Sequence, residues 1–598
     1  MTQTLRERTL GLFSLSLLAI GVGIVTGFGA VAFRALIGVI HNAFYYGKLS
    51  AIYDANLLEP ASRWGAGIVL VPVIGGLAVT FLVSKFAPEA RGHGVPEVMD
   101  AIFYREGVIR PVVAAVKSLA SALSIGTGAA VGREGPIIQI GASLGSTLGQ
   151  LVRMATWQRI TLVASGAGAG IAATFNTPLG GVMFAIELMM PEVSVRTFLP
   201  VALATGTATF IGWRLLGAHP AFDVPSRLFA SVPGSTSVES LLLCALLGAL
   251  CGVAATGFIR GLHFAEQAFE RAHNPYLRHV LGMTAIGLMM YAFYLGSGHY
   301  RIDGVGYSTI QQILVGGLAA APFLALLFVS KLAATSISLG SGSSGGIFSP
   351  SLFMGATLGG AFGAASQSWL ALPDSTVPAF AMIGMAAMVG GGTGAAMTAI
   401  VMIFEMTRDY DIVMPMIIAV AVSIGVRRML SEENIYTIKL AGRKHYIPKA
   451  MHANMFLIRQ AREVMETEFQ LLPASTGFDE FLRLPEHGGR LRHIVVTEGE
   501  RIAGTLRVNT SLRHGLEGAY TGLPIGSVAS AAFTIAHERD IMFDVIQRFW
   551  RDGASMIIVV RGSGIPHASD VVGIITKEHI ADSVAASVRP YGAEAGER

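Results

Sequence analysis

Long apolar runs dominate the chain from about residue 10 to residue 428, and the remaining C-terminal tail is far more polar. This pattern predicts one large membrane domain followed by a soluble part. The first apolar run, residues 10–40, is too long for the core of a signal peptide and follows Arg6 and Arg8. It therefore predicts a retained first helix whose N-terminus faces the cytoplasm, by the positive-inside rule.

Several apolar segments are too short for a full membrane span of about 20 residues. Examples are residues 94–103, 178–189 and 307–315. Helices that end inside a bilayer expose unpaired N–H groups, which is tolerable only where they line a buried, hydrated cavity. Such helix N-termini attract anions, whereas a cation would need rings of carbonyls or clustered carboxylates. The pattern therefore predicts an anion site inside the membrane domain.

The membrane part contains an internal duplication. Residues 117–149 recur as residues 331–363, at a constant offset of 214 and without a gap. Both copies contain G-x-x-x-P-x-x-x-x-G-A-[S/T]-L-G-x-x-x-G. A duplicated apolar unit interrupted by Gly and Pro is typical of a transporter or channel whose site lies between the repeats. We predict repeat halves at about 10–216 and 237–428.

The tail contains a second, shorter repeat. The pattern F-D-x-x-x-R begins at Phe478 and again at Phe543, and each copy precedes a strand rich in β-branched residues. The spacing predicts two similar modules, at about 459–522 and 524–590, which resemble a pair of CBS domains. The alternative is a folded tail that only aids assembly.

Composition agrees with a membrane protein, because charged residues make up 14% of the chain, against about 25% in soluble domains. The formal net charge of +4 includes no basic stripe with aromatics, so no nucleic-acid partner is expected. The membrane part has no HExxH motif and no clustered histidines. We therefore predict no enzyme activity, no metal site and no required cofactor. A membrane enzyme is the remote alternative.

Four signatures follow one another in the membrane domain. They are GHGVP at residues 92–96, GREGP at 132–136, GGIFSP at 345–350 and Tyr436 after the last apolar run. With these motifs the chain closely resembles the CLC family of chloride channels and chloride/proton exchangers.

The resemblance implies an all-α polytopic membrane domain at residues 1–440, an inverted repeat of about eighteen helices. An α+β cytoplasmic CBS pair at 441–598 would follow it. The resemblance also implies a homodimer in the cytoplasmic (inner) membrane, with the N-terminus and the tail in the cytoplasm. Each subunit would carry one pathway for chloride or another small anion through the lipid bilayer.

The resemblance also implies roles for single residues. The N–H groups of Ile347 and Phe348 and the hydroxyl of Tyr436 are expected to bind the central anion, although Tyr436 could instead be an interfacial aromatic anchor. The further anion-binding candidates are His93, Gly94, Gly132, Arg133, Gly135 and Gly346. Arg133 either raises the local positive potential or anchors an interface.

Glu134 is implied to be the gating glutamate. An ionised carboxylate resembles an anion and can block the outer anion position, whereas the protonated group loses that attraction and swings away. An intramembrane Glu is costly and usually functional. Glu187 and Glu405 occupy equivalent repeat positions, so we predict a shared helix-end role for both.

Two positions depart from the family pattern. Exchangers of the family usually carry an inner glutamate that relays protons, and here that position is Leu188, which favours a glutamate-gated chloride channel. The alternative is a chloride/proton antiporter with another relay, because some exchangers also lack the glutamate. Where the family usually has serine, this chain has His93, which could bind the anion, sense pH or point away.

In the tail, Gly573 and Thr576 fit the pattern with which CBS pairs often bind ribose, but His579 replaces its acidic residue. The first module has Arg507 and Thr510 at the corresponding polar positions. We therefore predict that an adenine nucleotide binds weakly or not at all.

Overall fold

The computed structural model divides the chain into two compact units, Met1–Ile447 and Pro448–Arg598. It describes residues 9–587 except for 59, 226–237, 371, 374, 448–454, 483–492, 508–521 and 563–565. The predicted features at Arg6, Arg8 and Thr510 lie outside the described residues, as does the arginine of the first tail repeat, Arg483.

The described part of the first unit contains seventeen α-helices. Their bounds are α1 Leu12–Tyr46, α2 Leu70–Phe86, α3 Val95–Tyr104, α4 Val112–Gly126, α5 Glu134–Val152, α6 Thr156–Phe175, α7 Pro178–Phe184, α8 Val195–Leu216, α9 Val238–Glu270, α10 Pro275–Ser297, α11 Tyr307–Leu314, α12 Ala321–Ser341, α13 Phe348–Leu370, α14 Thr376–Thr393, α15 Ala396–Thr407, α16 Val413–Leu430 and α17 Thr437–Gly442. This architecture confirms the predicted polytopic helical domain.

Eight of the described helices are long and apolar enough to cross a membrane. They are α1, α2 with the turn before it, α8, α9, α10, α12, α14 and α16. The short segments of the sequence form the separate helices α3, α7 and α11. Gly94 and Gly306 precede α3 and α11 with φ of 82° and 77°, a left-handed backbone that glycine adopts without strain.

The two repeats place equivalent helices against each other in the same way. A Cβ on Gly141 of α5 would lie 2.1 Å from the carbonyl oxygen of Gly166 in α6. In the second repeat, a Cβ on Gly355 of α13 would lie 2.4 Å from the carbonyl oxygen of Gly384 in α14. Glycine at these crossings lets the helix backbones approach closely, as is common between membrane helices.

Contacts between the repeats are reciprocal. Glu187 accepts hydrogen bonds from the N–H groups of Met397 (3.2 Å) and Thr398 (2.8 Å) at the start of α15. Glu405 accepts hydrogen bonds from Leu179 (3.1 Å) and Gly180 (2.7 Å) at the start of α7. Reciprocal contacts of equivalent residues require a local two-fold axis. The two repeats are therefore related by a local two-fold axis, which agrees with the predicted inverted repeat. The predicted helix-end role of both glutamates is confirmed.

The first unit extends to Ile447 rather than ending at residue 440. The reason is that α17 and the residues after it are tied to α3. Arg443 donates to both carboxylate oxygens of Glu97, at 3.1 and 2.5 Å, and His445 Nδ1 lies 2.5 Å from Asp100 Oδ1.

The described residues of the second unit form two three-stranded sheets with the same topology. In each, the first strand is parallel to the central strand and the third is antiparallel to it. The strands are β1 Gln470–Pro473, β2 His493–Glu498, β3 Arg501–Arg507, β4 Phe533–His537, β5 Met556–Val560 and β6 Val571–Ile575. The helices are α18 Ala461–Val464, α19 Phe478–Leu482, α20 Met542–Arg551 and α21 Lys577–Ser587.

The two sheets share a core. Buried Val495 of β2 and Ile502 of β3 pack with side chains of β5 and β6, among them Ile558 and Ile574. Each central strand is almost continuously buried, which explains the β-branched runs seen in the sequence. Two such modules sharing one core are consistent with the predicted CBS pair.

Candidate functional site

Three of the signature loops are joined by backbone hydrogen bonds. Gly92 donates to the carbonyl of Ser343 and accepts from Gly345, both at 3.2 Å. Gly132 and Gly346 exchange two hydrogen bonds of 2.7 and 2.6 Å. These loops lead into α3, α5 and α13, so the fold brings three helix N-termini to one place. Gly132 and Gly346 are equivalent repeat positions, so this pairing lies on the local two-fold axis.

Glycine is required where these loops touch. A Cβ on Gly135 would lie 2.2 Å from the carbonyl oxygen of His93, and one on Gly346 would lie 2.7 Å from the Gly135 nitrogen. A Cβ on Gly94 would lie 2.7 Å from Gln139 Oε1. Gly135 thus contacts Gly346, which pairs with Gly132, and Gly94 follows His93, whose carbonyl oxygen faces Gly135. Side chains at these four predicted positions would separate the starts of the helices.

Glu134 is the first residue of α5 and lies fully buried beside the start of α13. Its Oε1 accepts hydrogen bonds from the Tyr307 hydroxyl, at 2.5 Å, and from the Ser349 hydroxyl. Its Oε2 accepts from the Ser349 backbone N–H at 3.2 Å. The carboxylate thus occupies a helix N-terminus, a position at which an anion is favourable.

The sequence analysis missed Tyr307 and Ser349 as partners of Glu134. Ser349 stands inside the GGIFSP signature, so its proximity to the anion position could have been expected. Tyr307 is the first residue of α11, directly after Gly306. Its only sequence signal is this place at the start of a short helix.

Two buried lysines hold the loops before the short helices. Lys117 Nζ donates to the carbonyls of Ala90 (2.9 Å) and Gly92 (2.7 Å). Lys331 Nζ donates to the carbonyls of residues 302 and 304, both at 2.8 Å. Both lysines are 0% exposed and equivalent in the repeat. A lysine at the same place in two apolar segments was the available signal, and the sequence analysis did not identify it.

His93 and Tyr436 lie next to each other. Their ring centroids are 6.0 Å apart, and each residue is 1% exposed. Tyr436 is held at the start of α17 by Asn434, whose Oδ1 accepts from the Tyr436 and Thr437 N–H groups at 2.9 and 2.8 Å. Nδ1 of His93 makes no hydrogen bond among the described residues. The His93 ring lies beside the Tyr436 ring, which carries a hydroxyl.

Ile347 and Phe348 are buried at the start of α13. The first N–H groups of a helix have no partner within it, so both residues present donors at the place where the signature loops meet. An anion there would also gain from the helix dipole.

A cavity of about 370 Å³ is lined by Tyr307, the hydrogen-bond partner of Glu134, and by Arg133, the residue before it. Arg34, Arg133, Asn176 and Tyr307 are among its lining residues. The Arg133 guanidinium carbon lies 5.1 Å from the centre of the Tyr307 ring, a cation–π arrangement. Two guanidinium groups therefore line this cavity together with the carboxylates of Asp54 and Asp223. Arg34 is a residue that the sequence analysis did not single out.

Leu188 lies in a π-helical turn, Ala185–Met189, that continues α7. Its half-buried hydrocarbon side chain carries no proton. Glu187 beside it is engaged by the N–H groups of α15 and by the Thr398 hydroxyl at 2.8 Å. The usual inner relay position therefore has no ionisable group.

Of the two predicted nucleotide-binding residues, Gly573 lies in the middle of β6, and Thr576 lies between β6 and α21. A Cβ on Gly573 would lie 2.7 Å from Met465 Sδ, so the chain itself covers this residue. The Thr576 N–H faces His579 Nδ1 at 3.3 Å, and the His579 N–H faces Thr576 Oγ1 at 3.5 Å. Thr576 thus caps α21 together with the histidine that replaces the acid.

The family model for the voltage gated chloride channel matches residues 75–428, more than half of the chain. The chain belongs to the CLC family. The H(+)/Cl(-) exchange transporter ClcA of Vibrio parahaemolyticus is 30% identical over 441 residues, which are 71% of this chain and 89% of that protein. ClcA of Salmonella arizonae is 32% identical over 433 residues, 71% and 88% of the two chains. These relatives are transporters rather than enzymes.

Solved structures agree with this assignment. A slow cyanobacterial Cl⁻/H⁺ antiporter superposes with a TM-score of 0.60 and 25% identity, covering 72% of this chain and 97% of that one. A eukaryotic CLC transporter superposes with a TM-score of 0.60 over 95% of this chain and 98% of its own; at 21% identity it shows the fold alone. The protein is therefore a CLC-type anion transport protein of the membrane.

Proposed function

We propose that this protein exchanges chloride for protons and that Glu134 couples the two movements. The observation that carries the proposal is the position of the buried Glu134 carboxylate, which is held by two hydroxyls and one backbone N–H at the start of α13. The relatives named above are exchange transporters. Both considerations favour the antiporter alternative over the channel that Leu188 suggested.

The coupling follows from competition for the same donors. Ionised Glu134 accepts hydrogen bonds from Tyr307 and Ser349, and a chloride ion at the start of α13 would use the same groups. Protonation converts the carboxylate into an acid that no longer attracts these donors as an anion does. Chloride then takes the vacated position while the proton leaves on Glu134.

The remaining residues act around this exchange. The N–H groups of Ile347 and Phe348, with the Tyr436 hydroxyl, bind the central chloride, and His93 contributes to its selection. Arg133 raises the positive potential on the side of the cavity. Because Leu188 cannot carry a proton, protons reach Glu134 from the inside by another path, such as a chain of water molecules.

The proposal includes the placement and assembly of the protein. It is a homodimer in the cytoplasmic (inner) membrane, with one pathway in each subunit. The N-terminus and the tail face the cytoplasm. Chloride is the substrate, and the tail transmits a signal or supports dimer assembly.

Proton movement in response to a chloride gradient tests the proposal. Purified protein in liposomes, with the membrane voltage fixed, is expected to drive protons in the opposite direction to chloride. Glu134→Gln is expected to move chloride without protons, because the amide cannot be protonated in the same way. Chloride flux without proton movement in the parent protein would establish the channel alternative instead.

A further inference from the structure

Three residues of the second unit bring potential metal ligands together. Glu466 Oε2 lies 2.9 Å from His579 Nε2 and 3.6 Å from His493 Nε2. One ligand atom from each residue lies within 4.8 Å of the other two. The two imidazole centroids are 5.7 Å apart, and the ring planes are inclined by 69°. Both rings place Nε2 near the same carboxylate oxygen.

We propose that Glu466, His493 and His579 bind a divalent transition-metal ion of the zinc type. Zinc takes His nitrogen at about 2.0–2.1 Å and carboxylate oxygen at about 2.0–2.2 Å, so tetrahedral ligand atoms lie about 3.4 Å apart. The two measured separations from Glu466 Oε2 lie on either side of that value. Shifts of a few tenths of an ångström bring each of these two separations to the zinc value, and the two imidazole nitrogens lie within 4.8 Å of each other.

The ligands come from three different elements of the shared core. His493 begins β2 of the first sheet, and His579 lies in the first turn of α21. Glu466 follows α18 and exchanges backbone hydrogen bonds of 2.9 and 3.0 Å with Ile574 of β6. A bound ion would therefore link the first module to the second, which gives the tail a way to respond to metal.

Burial and charge also fit a metal ion. The His493 side chain is 3% exposed, whereas Glu466 and His579 are 28% and 23% exposed, so one side of the cluster is open to an entering ion and to water. Nearby Arg507 is neutralised by Glu578 at 2.8 Å. One carboxylate with two neutral imidazoles leaves a fourth position for water.

Binding through His579 Nε2 requires the ring proton to reside on Nδ1. The Thr576 N–H faces Nδ1 at 3.3 Å, so this long contact must open when metal binds. Metal binding is therefore coupled to a small movement at the start of α21. The sequence analysis predicted no metal site, because the three residues are 27 to 113 positions apart in the chain.

Cobalt(II) provides a direct probe, because it substitutes for zinc and absorbs visible light when coordinated. We expect purified full-length protein to bind one Co²⁺ per chain with a saturable visible band that added Zn²⁺ removes. His579→Ala and the isosteric Glu466→Gln are each expected to weaken binding by at least about 10–100-fold, the loss typical of disturbed metal sites.

His567→Ala is the matched control. His567 lies in the same unit, and its Nδ1 is 3.3 Å from Glu500 Oε2, outside the proposed ligand set. It is expected to retain the band and the stoichiometry. A cluster that is only hydrogen-bonded predicts no saturable Co²⁺ band in the parent protein, and that result would overturn the proposal. Equal Co²⁺ affinity in the parent, Glu466→Gln and His579→Ala proteins would overturn it as well.

Discussion

The hydroxyl of Tyr307 donates a hydrogen bond of 2.5 Å to Oε1 of Glu134, although 173 residues separate the two in the chain. Tyr307 opens α11 in the second repeat, and Glu134 opens α5 in the first. The same hydroxyl lies 2.9 Å from Ser349 Oγ, which also contacts the carboxylate. The outer position of Glu134 is therefore stabilised by side chains as well as by the helix N-terminus.

Tyr307→Phe is expected to raise chloride flux under the proposed mechanism, in which the ionised Glu134 carboxylate blocks the pathway. The variant keeps the ring but removes a hydrogen bond to a charged group, a contribution of about 1.5–3 kcal/mol. The blocked state becomes less stable by that amount, so we expect flux to rise by about one to two decades. Chloride efflux from liposomes at several pH values measures it.

Tyr46→Phe is a suitable control for the Tyr307 variant. The Tyr46 hydroxyl donates to the carbonyl of Pro60 at 3.2 Å, remote from Glu134. This variant should keep the flux of the parent at every pH. Equal fluxes in the Tyr307 variant and the parent would mean that the backbone of α13 alone holds the carboxylate.

Lys117→Met and Lys331→Met should each destabilise the membrane unit. Each substitution removes two hydrogen bonds from a charged donor. In the Lys117 variant the carbonyls of Ala90 and Gly92 keep Ser344 Oγ and the Gly345 N–H as donors. In the Lys331 variant the carbonyls of residues 302 and 304 lose the donor Nζ, at a cost of about 1–3 kcal/mol per buried carbonyl. Thermal unfolding of the purified protein should show a decrease in midpoint for both variants, and the larger decrease for Lys331→Met, because the carbonyls that Lys117 holds keep a second donor. Lys85→Met, at an exposed lysine, should leave the midpoint unchanged.

The two lysine variants should differ in function. Lys117 holds the loop that carries His93, so its replacement should alter anion selectivity. Lys331 holds the loop before Tyr307, so its replacement should alter the pH dependence of flux. A normal unfolding midpoint in either variant would contradict the stabilising role of that lysine.

Much of the membrane fold could be predicted from the sequence because it depends on local chemistry. Apolar length defines the spans, and the repeated Gly and Pro positions mark helix starts and close crossings. The partners of single side chains could not be predicted in this way. Tyr307 and Glu134 meet because the two repeats are related by a two-fold axis, and a duplication in the sequence does not reveal an axis.

The same limit applies to the tail. The strands of β-branched residues indicated two modules, but His493, Glu466 and His579 carry no spacing that predicts their contact. They are brought together by the packing of one module on the other. The role of Glu187 and Glu405 was easier to predict, because an equivalent acid in both repeats already indicated a common structural role.

His93→Ser should change anion selectivity while preserving the fold. The buried imidazole faces Tyr436 at a ring distance of 6.0 Å, and its backbone is fixed by the surrounding glycines. Serine replaces a broad aromatic donor with a short hydroxyl, so the permeability ratios of chloride, bromide and nitrate should shift. Unchanged ratios would show that the ring does not contact the permeating ion.

ATP is expected to bind the full-length protein weakly or not at all. The pattern that usually grips ribose hydroxyls ends in an acid, and here His579 takes that place and caps α21 with Thr576. A lost hydrogen bond to a charged acceptor is worth about 1.5–3 kcal/mol, or about one to two decades of affinity. Met465 also covers Gly573, which narrows the space beside β6.

Isothermal titration calorimetry of the full-length protein with ATP measures this affinity directly. We expect no heat of binding at micromolar ATP, because both the acidic residue and the open space beside Gly573 are missing. Binding with a micromolar dissociation constant would contradict the prediction. It would also show that the chain grips the nucleotide with groups other than Gly573 and Thr576, since these two are engaged with Met465 and His579.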